Sequence, residues 1–296
     1  MIGELAALGA AVSWTVSALL YRKALSNAKP VSSNIVRLTL TSLILLLFLA
    51  ATGKIQVLTS LPADAAILAS ISGVVGLGLG DTFYLMSLKR IGVARAVPIT
   101  CTYPLFNILL AIFLEGEQVT FSVVAGASVI VLGVWLLSQE EKKAGIERRV
   151  LIRSMILALA AALLWSISIT MINMAAKLAP GIDQALAINT LRVTAIGAVL
   201  LASSFVIDRD LGFLKMQRKT VITLVAGGIV ALGLGWFFLT FSFTDALESR
   251  AVPISSTTPF FSTIAGIVLL HEKVTLKNIL GSILVVGGIC LIFLLK

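Results

Sequence analysis

The sequence predicts an all-α integral membrane protein of about ten transmembrane helices, arranged as two inverted five-helix repeats. Three observations carry that prediction. The first is composition: 58% of the 296 residues are hydrophobic and only 12% charged, with a mean hydropathy of +1.06. Soluble domains carry about 25% charged residues, so this chain lacks the polar surface that a water-soluble enzyme of its size needs. The second is an internal repeat. The third is the gathering of basic residues in alternate loops.

A bilayer core about 30 Å thick takes roughly 20 apolar residues of helix. Segments of that kind run over 3–22, 32–52, 65–88, 95–114, 119–138, 151–174, 184–206, 220–243, 250–270 and 275–295. The first carries Glu4 and follows no basic stretch, so it reads as a permanent span rather than a cleaved signal peptide. The third and eighth contain glycine runs, Gly73, Gly76, Gly78, Gly80 and Gly227, Gly228, Gly233, Gly235. Such runs let helices approach closely, and they lack the strand–turn–helix setting of a phosphate loop. The fourth and ninth hold the proline pairs Pro98, Pro104 and Pro253, Pro259, which are expected to bend the helices and act as hinges. In the fifth and tenth, Gly126, Gly133 and Gly281, Gly288 are expected to pack these helices on each other or on a second subunit. Glu117 and Glu272 fall in short turns and are expected to cap the next helices. Cys101 and Cys290 sit in apolar runs as small fillers, and His271 reads as a solvated turn residue.

The repeat is explicit. RAVPITCTYPLF (Arg95–Phe106) lies over RAVPISSTTPFF (Arg250–Phe261) with eight of twelve positions identical, at an offset of 155. The same offset carries Asn34 to Asn189, Arg37 to Arg192, Gly78 to Gly233, Gly80 to Gly235 and Gly126 to Gly281. Trp14 lies over Trp165 and Ser17 over Ser168 at an offset of 151. The units are residues 1–138 and 151–296, joined by a polar linker at 139–150. Of the 23 basic residues, 17 follow odd-numbered spans, which places those loops in the cytoplasm and both termini outside. Five spans per unit then invert one half relative to the other, a signature of secondary transporters whose site lies near the midplane. The net charge of +9 is therefore topogenic, and nucleic acid is not an expected partner.

Each repeat also has a Pro-containing segment ending in an acidic turn, PITCTYPLFNILLAIFLEGEQVT and PISSTTPFFSTIAGIVLLHEKVT. These lead into the glycine-spaced helices GASVIVLGVWLL and GSILVVGGICLI, and a tryptophan stands in the first helix of each repeat. On those features the whole chain resembles the EamA type of the drug/metabolite transporter superfamily. The resemblance implies a ten-helix metabolite carrier with a central cavity, and favours export of a small amphipathic solute; it names no substrate.

Asp81 is the most informative residue, an acid inside the third span whose repeat counterpart is Trp236. An intramembrane Asp costs about 2.5–3.5 kcal/mol at a helix centre and tends to face a cavity or a partner. It reads either as a proton-coupling or cation-recognising group, or as one half of a pair with Arg37, Arg192 or Lys89, or as an acid that snorkels to the interface. Arg37 and Arg192 either clamp a carboxylate or phosphate or snorkel to headgroups, and the inversion is expected to set them on opposite faces of the membrane. A substrate cavity is expected from Ser13, Trp14, Ser17, Tyr21, Tyr84, Thr102, Tyr103, Asn107, Trp165, Ser168, Trp236, Ser256 and Thr257. The competing reading of the hydroxyls is that they bond to their own helices.

The expected function is thus a secondary transporter working by alternating access, with Asp81 the candidate residue if transport is proton-coupled. The alternatives are an uncoupled facilitator and a lipid-processing membrane protein. A single histidine and one clear intramembrane acid argue against an enzyme. The expected partners are a small-molecule substrate and the lipid bilayer of the cell membrane, with the chain a monomer or homodimer; no cofactor or metal is expected.

Overall fold

The structure is a computed structural model that describes residues 1–91, 96, 99–137, 147–258, 260–261, 264–265 and 276–294. Among these residues every regular element is helical. In chain order they are α1 (Ile2–Leu25), α2 (Pro30–Ala51), the short α3 (Ile55–Thr59), α4 (Ala63–Ile91), α5 (Tyr103–Glu115) and α6 (Phe121–Leu137). Then follow α7 (Arg148–Leu178), α8 (Ile182–Ile207), α9 (Arg218–Ser242), α10 (Glu248–Ser255) and α11 (Leu276–Leu294). Six of them, α1, α2, α4, α7, α8 and α9, are long and apolar enough to cross a membrane. The outer surface is apolar too: Phe113, Phe121 and Phe205 are 79%, 88% and 69% exposed, a pattern that suits lipid and not water.

Local chemistry sets the helix ends. Pro30 opens α2 at the position where its missing N–H costs nothing. Glu4, Asp64 and Asp183 stand in first turns, and Lys89 and Arg90 in the last turn of α4, each favourable with the helix dipole. Gly116 takes φ +65° and ends α5, its N–H donating to the Ala111 carbonyl.

The glycine runs wind as π-helix, at Gly73–Gly80 within α4 and Ile229–Gly235 within α9. A π turn departs from the regular carbonyl ladder, and in lipid every backbone polar group must be met from within the protein. The Asn34 side-chain amide on α2 donates to the Leu77 carbonyl at 3.0 Å, and Asn189 on α8 donates to Leu232 at 2.7 Å. Donors and acceptors are both related by the offset of 155. The two halves also interlock. A Cβ on Gly235 would lie 2.5 Å from Trp14 Nε1, and one on Gly80 would lie 2.8 Å from Trp165 Cδ1. One apolar core accordingly runs through both halves, including Leu38, Leu77, Ile169, Ile188 and Leu232.

Of the two partners considered for the glycines of α6 and α11, the fold uses the intramolecular one. A Cβ on Gly126 would meet the Gly288 carbonyl at 2.8 Å, and one on Gly133 the Gly281 carbonyl at 2.8 Å.

The fourth and ninth spans are not continuous bent helices. A turn at Cys101–Thr102 precedes α5, and Pro104 sits in the first turn of α5, where it opens a helix instead of kinking one. Pro253 lies inside α10, which ends at Ser255 before a turn at Ser256–Thr257. Pro98, Pro259, His271 and Glu272 lie outside the described residues, as does most of the predicted linker. Residues 148–150 of that linker are already helical, because nothing between Arg148 and the apolar run of α7 breaks a helix.

Candidate functional site

Arg37 is the eighth residue of α2, and Asp81 stands where the π segment of α4 returns to α-helix. The two side chains form a buried ion pair between Arg37 Nη2 and Asp81 Oδ2. Arg37 Nε also donates to Asn34 Oδ1 at 2.8 Å, one turn back on the same helix, and the guanidinium lies 4.9 Å above the Tyr21 ring. The second carboxylate oxygen, Asp81 Oδ1, accepts from Trp165 Nε1 of α7 at 2.8 Å. The carboxylate therefore ties together helices from both halves. Lys89, the other candidate partner from its own helix, donates to the Ala28 carbonyl at 3.2 Å.

Arg192, the repeat mate of Arg37, is fully buried. Its guanidinium stacks 3.7 Å from the centre of the Trp236 ring, and Nη2 donates to Ser168 Oγ at 2.9 Å. Ser168 in turn donates to the Ser72 carbonyl at 2.8 Å, and it lies one helical turn beyond Trp165. The expected separation of the two arginines to opposite faces does not occur. Trp165 and Ser168, three residues apart on α7, bond to Asp81 and Arg192 respectively, so the two arginines belong to one buried polar layer between the halves. Buried there, neither snorkels.

Aromatic rings surround the charges. Trp14 meets Trp236 edge-on at 5.1 Å and donates to the Ala231 carbonyl at 3.3 Å. Tyr84 and Tyr103 lie 5.2 and 6.2 Å from Trp165, and the Tyr103 hydroxyl is 3.3 Å from Ser255 Oγ. The small hydroxyls turn back on their own helices: Ser13 to Gly9 at 2.9 Å, Ser17 to Trp14 at 2.9 Å and Thr102 to Ile99 at 2.7 Å. Ser256 bonds to Pro253 and Thr257 to Ile254, both at 2.7 Å. These five reinforce helix turns in the described state.

Asn107 belongs to a second buried cluster. Its amide donates to Glu248 Oε1 at 2.6 Å and to the Ser166 carbonyl at 3.1 Å. Thr170 donates to the same carboxylate at 2.7 Å, and Asn173 donates to Glu248 Oε2 at 3.0 Å. Glu117 does not cap the helix that follows it. Its carboxylate accepts the backbone N–H groups of Glu248 and Ser249 at 3.1 and 3.2 Å, capping α10 in the other half, with Lys177 Nζ 3.9 Å away. Sequence reasoning missed Glu248, although a signal existed: like Asp81, it is an acid without an acidic repeat mate, lying over Val93 at the offset of 155.

Where the basic loops gather, a cleft of about 530 Å³ is lined by residues including Lys29, Met86, Lys89, Arg209 and Asp210. An ion pair between Lys29 and Asp210 stands at this cleft. Their hydrogen bond raises the lysine above its ordinary range and holds the carboxyl below its own.

The chain matches the EamA-like transporter family over residues 1–139 and 152–294. It belongs to that family. It is thus a multi-pass membrane transporter and not an enzyme. An Archaeoglobus fulgidus protein described as an uncharacterized transporter is 24% identical over 294 residues, 99% of each chain. A Lactobacillus johnsonii protein provisionally named a ribose uptake protein, RbsU, is 25% identical, covering 77% of this chain and 79% of its own. A protein of known crystal structure superposes with a TM-score of 0.79 at 20% identity, over 99% of this chain and 96% of its own, a likeness of fold alone.

Proposed function

We propose that this EamA-like protein is a secondary transporter that moves a small amphipathic solute across the cell membrane by alternating access between two inverted five-helix repeats. Ten spans are counted in this reading, six of them the long helices, the rest the shorter or broken segments around α5, α6, α10 and α11. The observation that carries it is the buried charged layer in which Arg37, Asp81 and Trp165 join the two halves. Ionised groups at that depth are costly, and in membrane proteins they mark substrate and ion pathways. Alternating access rocks one half against the other around such a layer.

The loop contacts support the orientation. Lys29 pairs with Asp210, both on the side assigned to the cytoplasm. Lys54 pairs with Asp183, Met1 with Asp245 and Lys177 with Glu117, all on the side assigned outward. Helix breaks near Cys101 and Ser256 are natural hinges, with Pro104 and Pro253 at their edges. The cleft beside Lys29 and Lys89 serves as the cytoplasmic vestibule. Export is the direction favoured by the family resemblance, whereas the relative named for ribose uptake carries the opposite sign.

Proton coupling is assigned to Asp81, with opening of the Arg37 pair exposing the carboxylate. The pair itself favours a second reading, an uncoupled facilitator in which Asp81 is purely structural. Purified protein in liposomes, screened with radiolabelled amino acids, sugars and amines with and without a proton gradient, separates them. Coupled transport predicts gradient-driven accumulation that Asp81→Asn abolishes while sparing exchange. Equilibration without accumulation under any gradient identifies the facilitator, and no flux of any solute sinks the transporter reading of the site.

A further inference from the structure

The central layer is asymmetric in a way that points to a ligand. Arg37 and Arg192 are repeat mates, but their surroundings are not. Arg37 is neutralised by Asp81. The position that matches Asp81 in the second half is Trp236, whose ring lies flat beneath the Arg192 guanidinium at 3.7 Å. Arg192 makes no ion pair among the described residues, and the acid that acts on it through space, Asp81, is already paired with Arg37. Only Nη2 is hydrogen-bonded, to Ser168, while Nε and Nη1 have no hydrogen-bond partner among the described residues, at 0% exposure. A guanidinium presents its donors as a planar fork that matches a carboxylate, and buried donors left unmet are costly to keep.

We infer that Arg192 is the substrate's anchor, and that the solute carries a carboxylate which takes the place Asp81 holds in the other half. The inference rests on the transporter reading above and narrows it to organic anions. One half of the molecule supplies its own counter-ion and locks; the other borrows one from the cargo. The rings of Trp236 and Trp14, 5.1 Å apart, offer apolar surface for the body of the solute once the layer has parted. In the described state Arg192 is enclosed, so the anion docks in a state where the layer has parted. A carboxylate that arrives there takes one edge of the guanidinium, the second hydrogen of Nη2 together with either Nε or Nη1, and supplies the missing counter-charge. Occupancy thus favours closure of the layer, as a carrier requires of its cargo.

The test is equilibrium binding of radiolabelled benzoate and acetate to the purified full chain in lipid nanodiscs, with benzamide, ribose and inorganic phosphate as competitors. Saturable carboxylate binding is expected, displaced by unlabelled carboxylate and untouched by benzamide or ribose. Arg192→Gln should weaken it at least about 30-fold, and Arg192→Lys should recover part of the loss. Trp236→Asp is the decisive variant. It rebuilds in the second half the ion pair that the first half already tolerates; its folding is verified by gel filtration and thermal unfolding, and it should bind acetate, which makes little use of the ring, about 30-fold more weakly than Trp236→Leu does. Equal binding of benzoate and benzamide, equal acetate binding in Trp236→Asp and Trp236→Leu, displacement by phosphate but not by carboxylates, or no saturable carboxylate binding each overturns the inference. Ribose exchange in liposomes without carboxylate binding would overturn it while leaving the transporter reading standing. Carboxylate binding without flux of any solute would do the reverse.

Discussion

Arg37 and Asp81 show at the scale of single residues what a membrane interior demands. Two charges withdrawn from water repay their desolvation only when geometry is good and further hydrogen bonds are met, which Asn34 and Trp165 provide. Breaking the pair with Arg37→Met alone should therefore cost about 3–5 kcal/mol, because a bare carboxylate stays buried. Arg37→Met combined with Asp81→Leu should recover most of that stability. Denaturant unfolding in detergent compares the single and double variants; equal losses would show that the pair is not energetically coupled. Trp165→Phe keeps the ring but removes a donor to a charged acceptor, and should cost about 1.5–3 kcal/mol in the same assay. At this scale the sequence identified the right charges, since an acid or an arginine inside an apolar run stands out. It left open whether Asp81 takes Arg37, Arg192 or Lys89.

Helix-to-helix contact is decided by single methyl groups. On α11 two adjacent glycines make the point. A Cβ on Gly288 would fall 2.7 Å from the Gly126 carbonyl, whereas one on Gly287 meets nothing within 4 Å. Gly288→Ala should destabilise by about 1–3 kcal/mol through overpacking against backbone. Gly287→Ala should be neutral or gain up to about 1 kcal/mol of helix propensity. Thermal unfolding of the two variants side by side checks this, and equal behaviour would mean that α6 and α11 do not touch. At the opposite junction, Glu117→Ala should cost about 0.5–2 kcal/mol by uncapping α10. The Lys29–Asp210 pair holds its cleft within a pH window. The depressed carboxyl contributes above its ordinary range and is lost as pH falls through its folded value, while the raised lysine is lost as pH rises through its own.

Considered as a whole molecule, the two halves are held together by contacts that recur with exchanged partners. Trp14 of the first half seats on Gly235 of the second, and Trp165 of the second on Gly80 of the first. An inverted arrangement makes a definite forecast for side-selective labelling with a membrane-impermeant maleimide, in a background carrying Cys101→Ser and Cys290→Ser. Asn27→Cys and Gln217→Cys should react from the cytoplasmic side only, and Ser60→Cys and Leu247→Cys from outside only. Labelling of Asn27→Cys and Gln217→Cys from opposite sides would defeat the inverted topology.

That this is a helical membrane protein, that its halves repeat and to which family it belongs are all legible in the linear sequence. Those properties live in local apolar length and in identities at a constant offset, which need no knowledge of neighbours in space. The sequence alone could not determine that Pro104 opens α5, that Glu117 caps a helix of the other half, or that Glu248 is buried among Asn107, Thr170 and Asn173. Nor could it show that Arg37 is neutralised while Arg192 is left with a ring in place of an acid. Each of these depends on which faces of helices far apart in the chain meet. That choice is made by close packing across the interface between the halves, where a missing Cβ or a single hydrogen bond settles which partner a buried charge will have.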